Sequence, residues 1–175
     1  MASFAMRGLT RRAVNLGGFV GCAALMGAAF FFEYVMKLTP CNMCMMQRIA
    51  VSALGLAFLV ATLHDPRRVG ARLYALLILV ASGAAIALSA KHIWMQMQPP
   101  GSLPSCGADF FTMVDMLPFT TVVTRILAGG GECQAIVWSL FGLSMPAWLL
   151  IAVTVLGGAG VVGGFVLPRG RGETA

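Results

Sequence analysis

Charged residues are scarce in this sequence of 175 residues. Asp, Glu, Lys and Arg together make up 10% of the chain, whereas about 25% is usual for a soluble protein. Acidic residues are the scarcer group, with six against twelve basic residues. The hydrophobic fraction is 59%, above the usual range of roughly 45–50%. This composition excludes an ordinary soluble domain and indicates a membrane protein.

Motifs that bind soluble redox cofactors are also missing. Cys44 is followed by Met45, so the Cys-X-X-Cys-His signature of covalent haem attachment is absent. The run Gly158–Gly163 (GAGVVG) matches the dinucleotide-binding pattern by letters, but it lies inside an apolar stretch with no strand before it. Small residues in such stretches are better interpreted as sites of close helix packing. These residues are Gly17, Gly21, Gly160 and Gly164.

Four apolar stretches can be compared with the roughly 20 helical residues needed to cross a hydrocarbon core of about 30 Å. The predicted spans are residues 13–32, 43–63, 73–90 and 145–167. They leave two outer loops, residues 33–42 and 91–144, and an inner loop, residues 64–72. The sequence therefore predicts an all-α membrane protein, a single domain formed by a four-helix transmembrane bundle with two outward-facing, cysteine-bearing loops.

The basic residues predict the orientation of these spans. Eight of the twelve lie on one side: Arg7, Arg11, Arg12, Arg67, Arg68, Arg72, Arg169 and Arg171. Short loops rich in Lys and Arg stay in the cytoplasm, so both termini are predicted to be cytoplasmic. A cleaved signal peptide ending near Ala29 is the alternative for the first span, but its run of 20 residues is longer than a usual h-region.

The stretch Leu38–Arg48, LTPCNMCMMQR, is the most informative part of the sequence. Pro40 favours a helix that begins near Cys41. Cys44 and Arg48 then lie in the first two turns of this helix, at the outward-facing surface of the membrane. A helix N-terminus and a nearby cation both lower a thiol pKa, so this Cys-X-X-Cys pair is suited to thiol–disulfide exchange. An arginine just inside a membrane is a functional candidate, and snorkelling to the headgroups is the alternative.

The sequence contains five cysteines: Cys22, Cys41, Cys44, Cys106 and Cys133. Cys22 lies mid-span and is interpreted as a small packing residue. The other four are predicted to face an oxidising compartment, in which disulfides persist. A structural bridge between Cys106 and Cys133 would close a loop of about 28 residues, whereas a bridge within the Cys-X-X-Cys pair would add little stability. We expect no zinc site, because the second cysteine pair lacks the close spacing of a zinc knuckle.

Electrons from such a dithiol need an acceptor that can be reached without water. A lipid-soluble quinone can approach the bilayer edge beside Cys44 and Arg48, where the arginine would pair with a quinone oxygen or with thiolate charge. Met43, Met45 and Met46 are candidates to line the quinone ring, although a methionine stripe is more often ordinary helix packing.

Four segments of the sequence resemble the DsbB family, the bacterial disulfide bond formation proteins B. They are LTPCNMCMMQR, KHIWMQ after the third span, GGGECQ before a tryptophan, and FGLSMPAWLL at the start of the fourth span. The likeness covers nearly the whole chain in order. It implies a protein-dithiol:quinone oxidoreductase of the bacterial inner membrane. Such an enzyme reoxidises a periplasmic, DsbA-like thiol oxidase and passes the electrons to ubiquinone or menaquinone.

The resemblance implies a role for each outward cysteine. Cys106 and Cys133 match the loop pair that oxidises the DsbA-like partner, with Cys106 forming the mixed disulfide. Cys41 and Cys44 match the membrane-proximal pair that reoxidises the loop pair, and Cys44 faces the quinone. The loop pair then has to reach the second pair, and we attribute part of the required mobility to Gly129–Gly131.

Two further residues match the quinone site of the family. Arg48 matches its arginine, and His92 falls where the family often has a histidine. Judged without the resemblance, a histidine just outside a span is more often a solvated interface residue. The sequence predicts no metal ligands.

Two other function classes stay open. A non-enzymatic four-span protein with structural outer disulfides would resist mild reductant, whereas catalytic disulfides would react readily and form mixed disulfides. A membrane oxidoreductase that acts on a quinone-like substrate in the opposite direction would share the same Cys-X-X-Cys chemistry.

Overall fold

The computed structural model describes residues 10–103 and 108–168. In chain order, its elements are α1 (Arg11–Phe30), a π-helical turn (Phe31–Val35), α2 (Asn42–His64), α3 (Arg68–Gln96), α4 (Phe110–Met116), α5 (Phe119–Ala128), a 3₁₀ turn (Gly131–Gln134), β1 (Ser139–Leu140), β2 (Leu143–Ser144) and α6 (Met145–Val166). Helices α1, α2, α3 and α6 are long and apolar enough to cross a membrane. The predicted fold class, an all-α membrane protein built on a four-helix bundle, is confirmed.

Prolines mark the ends of two of the long helices. Helix α2 begins directly after Pro40 and Cys41. It ends at His64, and its C-cap residue Asp65 has a left-handed backbone conformation and precedes Pro66. Pro146 lies in the first turn of α6, where its missing N–H leaves no helical hydrogen bond unmade. The start of α2 therefore places the Cys-X-X-Cys pair at one end of the bundle.

Helix α3 extends beyond the predicted span 73–90 at both ends, from Arg68 to Gln96. Its first turns include basic residues of the predicted inner loop 64–72, because arginine is a good helix former although it is not apolar. Its last turns include the KHIWMQ segment, and with it His92. The connection between α2 and α3 is consequently short, covering residues 65–67.

Glycines allow the long helices to approach closely around Phe58. A Cβ atom on Gly160 would lie 2.5 Å from the Phe58 ring. Gly21 and Gly164 also face near neighbours, as predicted, since a Cβ on them would lie 2.9 Å and 2.6 Å from other side chains. Among residues 10–103 and 108–168, nothing lies within 4 Å of a Cβ built on Gly17, so the packing role predicted for that residue is wrong.

The centre of the bundle is apolar. Seven buried side chains of one cluster are at most 2% exposed: Cys22, Val51, Leu54, Phe58, Ile78, Ala85 and Val153. The thiol of Cys22 thus lies among hydrocarbon side chains, which agrees with its predicted role as a small packing residue.

Between α3 and α6, residues 97–103 and 108–144 form a cap over one end of the bundle. Its apolar side chains pack on the ends of α2 and α3 in a second cluster, made up of Met43, Met95, Met113, Val122, Ile126 and Cys133. Each of these residues is at most 2% exposed. The cap thereby buries Cys133 beside the first turn of α2.

A two-stranded antiparallel hairpin, β1 and β2, ends the cap. Its two-residue turn has positive φ at Phe141 and Gly142, which gives the backbone twist that tight hairpins favour. The Trp148 indole N–H donates a hydrogen bond to the Leu140 carbonyl at 3.1 Å. This bond ties the hairpin to the start of α6.

Candidate functional site

Cys41 and Cys44 form the centre of the site. Cys41 has extended backbone at the start of α2 and Cys44 lies one turn on, so their side chains share a helix face. The Cys41 thiol donates a hydrogen bond to the Cys44 sulfur, with 3.1 Å between the Sγ atoms. Both residues are free thiols. A small movement of either side chain would bring the sulfurs to the bonding distance of about 2.05 Å.

Cys133 and His92 complete a cluster around the Cys41 sulfur. Nε2 of His92 lies 3.8 Å from Sγ of Cys41. A ring nitrogen of His92 and the sulfurs of Cys41 and Cys133 all lie within 4.8 Å of one another. The last turns of α3 position His92, and the 3₁₀ turn positions Cys133. One member of the predicted loop pair therefore lies against one member of the membrane-proximal pair.

His92 is buried rather than solvated. It is 3% exposed, because α3 continues past it to Gln96 and the cap covers it. The expectation of a solvated interface residue is therefore wrong. Nδ1 of His92 has no hydrogen-bond partner among the described residues.

Hydrogen bonding and burial keep two of the thiols protonated. The hydrogen bond with Cys133 lowers the pKa of Cys41, but the hydrogen bond with Cys44 and burial raise it by more, to about 12. The hydrogen bond with Cys41 and burial both raise the pKa of the Cys133 thiol well above its ordinary range. In this cluster the Cys44 sulfur is the hydrogen-bond acceptor.

A cavity of about 240 Å³ lies beside Cys44. Cys44 and Arg48 line it from α2, and Glu33 lines it from the π-helical turn. Apolar side chains form most of the remaining wall, among them Leu25, Phe32, Trp138, Trp148 and Leu149. The cavity is therefore an apolar space with a thiol and two charged side chains on its wall.

Some of the residues predicted to contact a quinone lie elsewhere. His92 is not among the described residues that line the cavity, and it contacts the thiol cluster instead. Met43 is buried in the second apolar cluster, under the cap. Met45 and Met46 do not line the cavity either. For Met43, the structure supports the alternative interpretation of the methionines as packing residues.

Glu33 is the partner of Arg48, and the sequence did not predict it. The Arg48 guanidinium donates to the Glu33 carboxylate and, at 3.1 Å, to the Ala29 carbonyl. The guanidinium also lies 5.5 Å from the centre of the Phe30 ring. The exposed fractions are 16% for the Arg48 side chain and 25% for that of Glu33. Arg48 is thus paired with a carboxylate at the cavity wall.

Cys106, the residue predicted to react with the partner, lies outside the described residues. The chain on both sides of it is anchored near the site. Leu103 packs against the apolar cluster of the cap, and the Asn42 side chain donates to the Ala108 carbonyl at 3.1 Å. Asn42 is a residue of the Cys-X-X-Cys motif, so the motif itself holds the chain that follows Cys106.

Gln134 holds the loop that follows α3. Its side-chain N–H groups donate to the Pro99 carbonyl at 2.8 Å and the Ser102 hydroxyl at 3.2 Å. Its side-chain oxygen accepts from the Gly101 amide at 3.2 Å. The sequence assigned no role to Gln134, although its position directly after Cys133 was an available signal.

The chain is similar to known proteins over most of its length. The sequence model of the family "Disulfide bond formation protein DsbB" matches residues 11–163. Three relatives carry the name "Disulfide bond formation protein B". The relative from Chromohalobacter salexigens is 41% identical over 167 residues, which cover 94% of this chain and 97% of the relative.

The other two relatives have similar identities to this chain. The protein of Hahella chejuensis is 42% identical over 144 residues, which cover 82% of this chain and 87% of the relative. The protein of Methylobacillus flagellatus is 44% identical over 140 residues, which cover 80% of this chain and 84% of the relative. With the family pattern matched over residues 11–163, this chain is a member of the DsbB family.

Proposed function

We propose that this protein is a protein-dithiol:quinone oxidoreductase that supports disulfide bond formation. It takes electrons from a DsbA-like thiol oxidase and passes them to ubiquinone or menaquinone. The observation that carries the proposal is the position of Cys44, which contacts the Cys41 thiol at 3.1 Å and lines an apolar cavity. The names of the relatives support the direction of the reaction, toward disulfides.

The first exchange takes place at the loop pair. A thiolate of the DsbA-like partner attacks the Cys106 sulfur of a Cys106–Cys133 disulfide, so that a mixed disulfide forms and Cys133 leaves. The second thiol of the partner then attacks the partner's own sulfur in the mixed disulfide. The partner leaves oxidised, and Cys106 is released as a thiol.

The second exchange takes place in the buried cluster. Cys133 attacks Cys41, whose sulfur lies within 4.8 Å, so that a Cys41–Cys133 bond forms as the Cys41–Cys44 bond breaks. Cys106 then attacks Cys133, which restores the loop disulfide and releases Cys41. The two electrons from the partner are now on Cys41 and Cys44.

Cys44 is placed to leave as a thiolate. It lies in the first turn of α2, where the unpaired N–H groups and the helix dipole stabilise negative charge. Arg48, four residues later on the same helix, lines the same cavity and adds a positive charge to its wall. Cys44 is therefore the cysteine suited to face an electron acceptor.

The cavity fits a quinone head group. Its volume of about 240 Å³ exceeds the roughly 150 Å³ of an apolar cavity that binds benzene. Aromatic side chains such as Phe32, Trp138 and Trp148 supply flat apolar walls, and Arg48 can donate to a quinone oxygen. A quinone held here would supply the acceptor for two electrons and two protons, so that Cys41 and Cys44 could re-form their disulfide.

The distribution of basic residues predicts how the protein is oriented in the membrane. Helix α1 begins, α2 ends and α3 begins at the end of the bundle opposite the Cys-X-X-Cys pair. The described arginines of that end are Arg11, Arg12, Arg67, Arg68 and Arg72. The positive-inside rule makes that end cytoplasmic, so both termini are cytoplasmic and the cap faces the periplasm of a bacterial inner membrane.

Purified protein in detergent tests this function. Reduced DsbA-like protein is added without oxygen to the enzyme and a short-chain ubiquinone or a menaquinone analogue, and quinone absorbance is recorded. We expect one quinone to be reduced for each partner disulfide formed. Cys44→Ala and Cys106→Ser should each abolish the reaction, while Cys22→Ala should retain it.

A lack of quinone reduction with a competent partner would contradict the proposal. It would favour a four-span protein with structural outer disulfides. Quinone reduction that persists in Cys44→Ala would contradict the role of Cys44.

A further inference from the structure

The cluster of Cys41, His92 and Cys133 has the ligand types and the spacing of a zinc site. Zinc binds thiolate sulfur at about 2.3 Å and imidazole nitrogen at about 2.0–2.1 Å, so tetrahedral ligands lie about 3.6–3.8 Å apart. The distance from Cys41 Sγ to His92 Nε2 is 3.8 Å, and all three ligand atoms lie within 4.8 Å of one another. Shifts of less than about 1 Å would complete the geometry.

Two of the three ligands are buried. His92 is 3% exposed and Cys133 is 2% exposed. His92 has one ring nitrogen facing the Cys41 sulfur, while Nδ1 has no hydrogen-bond partner among the described residues. A buried imidazole whose Nε2 faces one cysteine sulfur, with a second cysteine sulfur also within 4.8 Å of a ring nitrogen, is placed to act as a metal ligand.

Charge also favours a divalent cation here. Zinc binds thiolates and neutral imidazole, so Cys41 and Cys133 each release one proton when they bind. Two thiolates and one Zn²⁺ then have no net charge. A neutral complex suits the apolar surroundings supplied by Met43 and Met95.

We propose that the fully reduced protein binds one Zn²⁺ through Cys41, Cys133 and His92, and that bound Zn²⁺ blocks disulfide exchange. The site takes one thiol from each cysteine pair, so a disulfide in either pair removes a ligand. The metal therefore binds the reduced enzyme selectively. Binding itself does not depend on the proposed function, whereas the block of turnover rests on it.

This site differs from a zinc knuckle of four cysteines, which the spacing of the outer cysteines argues against. It combines two of those cysteines with His92. Three protein ligands with an open fourth position are typical of zinc sites that keep a water. Cys44, 3.1 Å from Cys41, need not be a ligand.

Binding is tested on the full chain in detergent, reduced with a phosphine that is then removed, without oxygen, quinone or partner. Equilibrium dialysis against Zn²⁺ with metal analysis gives the stoichiometry and the Kd. We expect one Zn²⁺ per reduced chain, weaker binding by at least about tenfold after oxidation, and no competition from Mg²⁺. A reduced chain that binds no stoichiometric Zn²⁺, or an oxidised chain that binds equally well, would overturn the proposal.

Variants identify the ligands. His92→Ala and Cys133→Ala should each weaken binding by at least about tenfold, whereas Cys44→Ala and Cys22→Ala should bind like wild type. With Co²⁺ as a probe, the sulfur-to-cobalt charge-transfer band should weaken in Cys133→Ala and persist in Cys44→Ala. Circular dichroism shows that each variant remains helical. Wild-type affinity in His92→Ala, or loss of binding in Cys44→Ala, would overturn the ligand set.

The block of exchange has a separate readout. Zn²⁺ should slow alkylation of Cys41 and Cys133 in the reduced chain, and a chelator should restore it. This measurement needs neither quinone nor partner, so it separates failure of the zinc site from failure of the proposed reaction. Unchanged alkylation with Zn²⁺ bound would show that the metal lies elsewhere and would overturn the site.

Discussion

Arg48 reaches from the second turn of α2 to the carboxylate of Glu33 in the π-helical turn that follows α1. Such turns are rare and are often found at functional sites. Here the turn carries Glu33 to the wall of the cavity that Cys44 also lines. The ion pair therefore determines how much positive charge remains available next to the Cys44 sulfur.

Glu33→Gln should make Cys44 more reactive. The substitution removes the anion that compensates Arg48 and keeps the size of the side chain, so the guanidinium can stabilise a Cys44 thiolate. We expect iodoacetamide to alkylate Cys44 of the reduced protein roughly tenfold faster at neutral pH, as measured by mass spectrometry. Asp115→Asn, at an exposed position of the cap, is the control. Equal rates in Glu33→Gln and wild type would show that the ion pair does not act on Cys44.

Alkylation of Cys41 should rise steeply with pH. Its pKa is raised to about 12, so Cys41 is a thiol at neutral pH, and the reactive thiolate increases as pH rises toward that value. The rate should grow about tenfold per pH unit from about pH 7 to pH 10, whereas an unperturbed cysteine with a pKa near 8.5 levels off. Pulsed alkylation of the reduced protein at several pH values measures this. A plateau below about pH 9 would contradict the hydrogen-bonded cluster.

The pKa of Cys133 is raised, like that of Cys41, and this shift also affects the stability of the protein. Its folded pKa lies above its unfolded value, so this thiol contributes stability at neutral pH that is lost as pH rises above the unfolded pKa of about 9. The reduced protein should therefore lose more stability at alkaline pH than a Cys133→Ala variant.

Gln134→Ala should loosen the loop after α3. It removes three side-chain hydrogen bonds to residues 99–102, each contributing roughly 0.5–1.5 kcal/mol, so local opening should become at least about tenfold more frequent. Hydrogen exchange at the Gly101 amide measures this opening. Gln134→Glu is the matched control, because it keeps the acceptor for Gly101 and loses the donors to Pro99 and Ser102. Unchanged exchange in Gln134→Ala would contradict the anchoring role.

Gly129→Ala should destabilise the protein for a reason other than lost mobility. Gly129 has φ of +103°, and a Cβ there would lie 3.2 Å from the end of the Met95 side chain. We expect a cost of about 1–2 kcal/mol and a fall in Tm of several degrees. Gly131→Ala, whose Cβ would lie 3.4 Å from the Leu103 carbonyl oxygen, should cost less and is the better test of mobility. Unchanged turnover in Gly131→Ala would contradict the mobility attributed to this residue.

The bundle could be predicted because its determinants are local. Apolar length, Pro40 before the second span and Pro146 at the fourth each act within a few residues. The ends of α3 were underestimated because a hydrophobic stretch marks the membrane core, while the helix continues through polar residues to Gln96.

The thiol cluster could not be predicted from spacing, because its members come from distant segments. Cys41 and His92 are 51 residues apart, and their contact depends on the length of α3 and on the cap. The sequence and the resemblance identified both residues but could not show that Cys133 lies beside them. Glu33 was missed because a π-helical turn has no clear sequence pattern. An acidic residue at the outer end of an apolar stretch was the available signal.

A single turnover tests the central claim most directly. Fully reduced protein is mixed with one equivalent of a short-chain quinone, without oxygen or partner, and disulfides are mapped by mass spectrometry as quinone absorbance falls. We predict loss of one quinone together with a Cys41–Cys44 disulfide, and neither in Cys44→Ala. Quinone that stays oxidised, or that is reduced equally by Cys44→Ala, would contradict the transfer of electrons from this pair to the cavity.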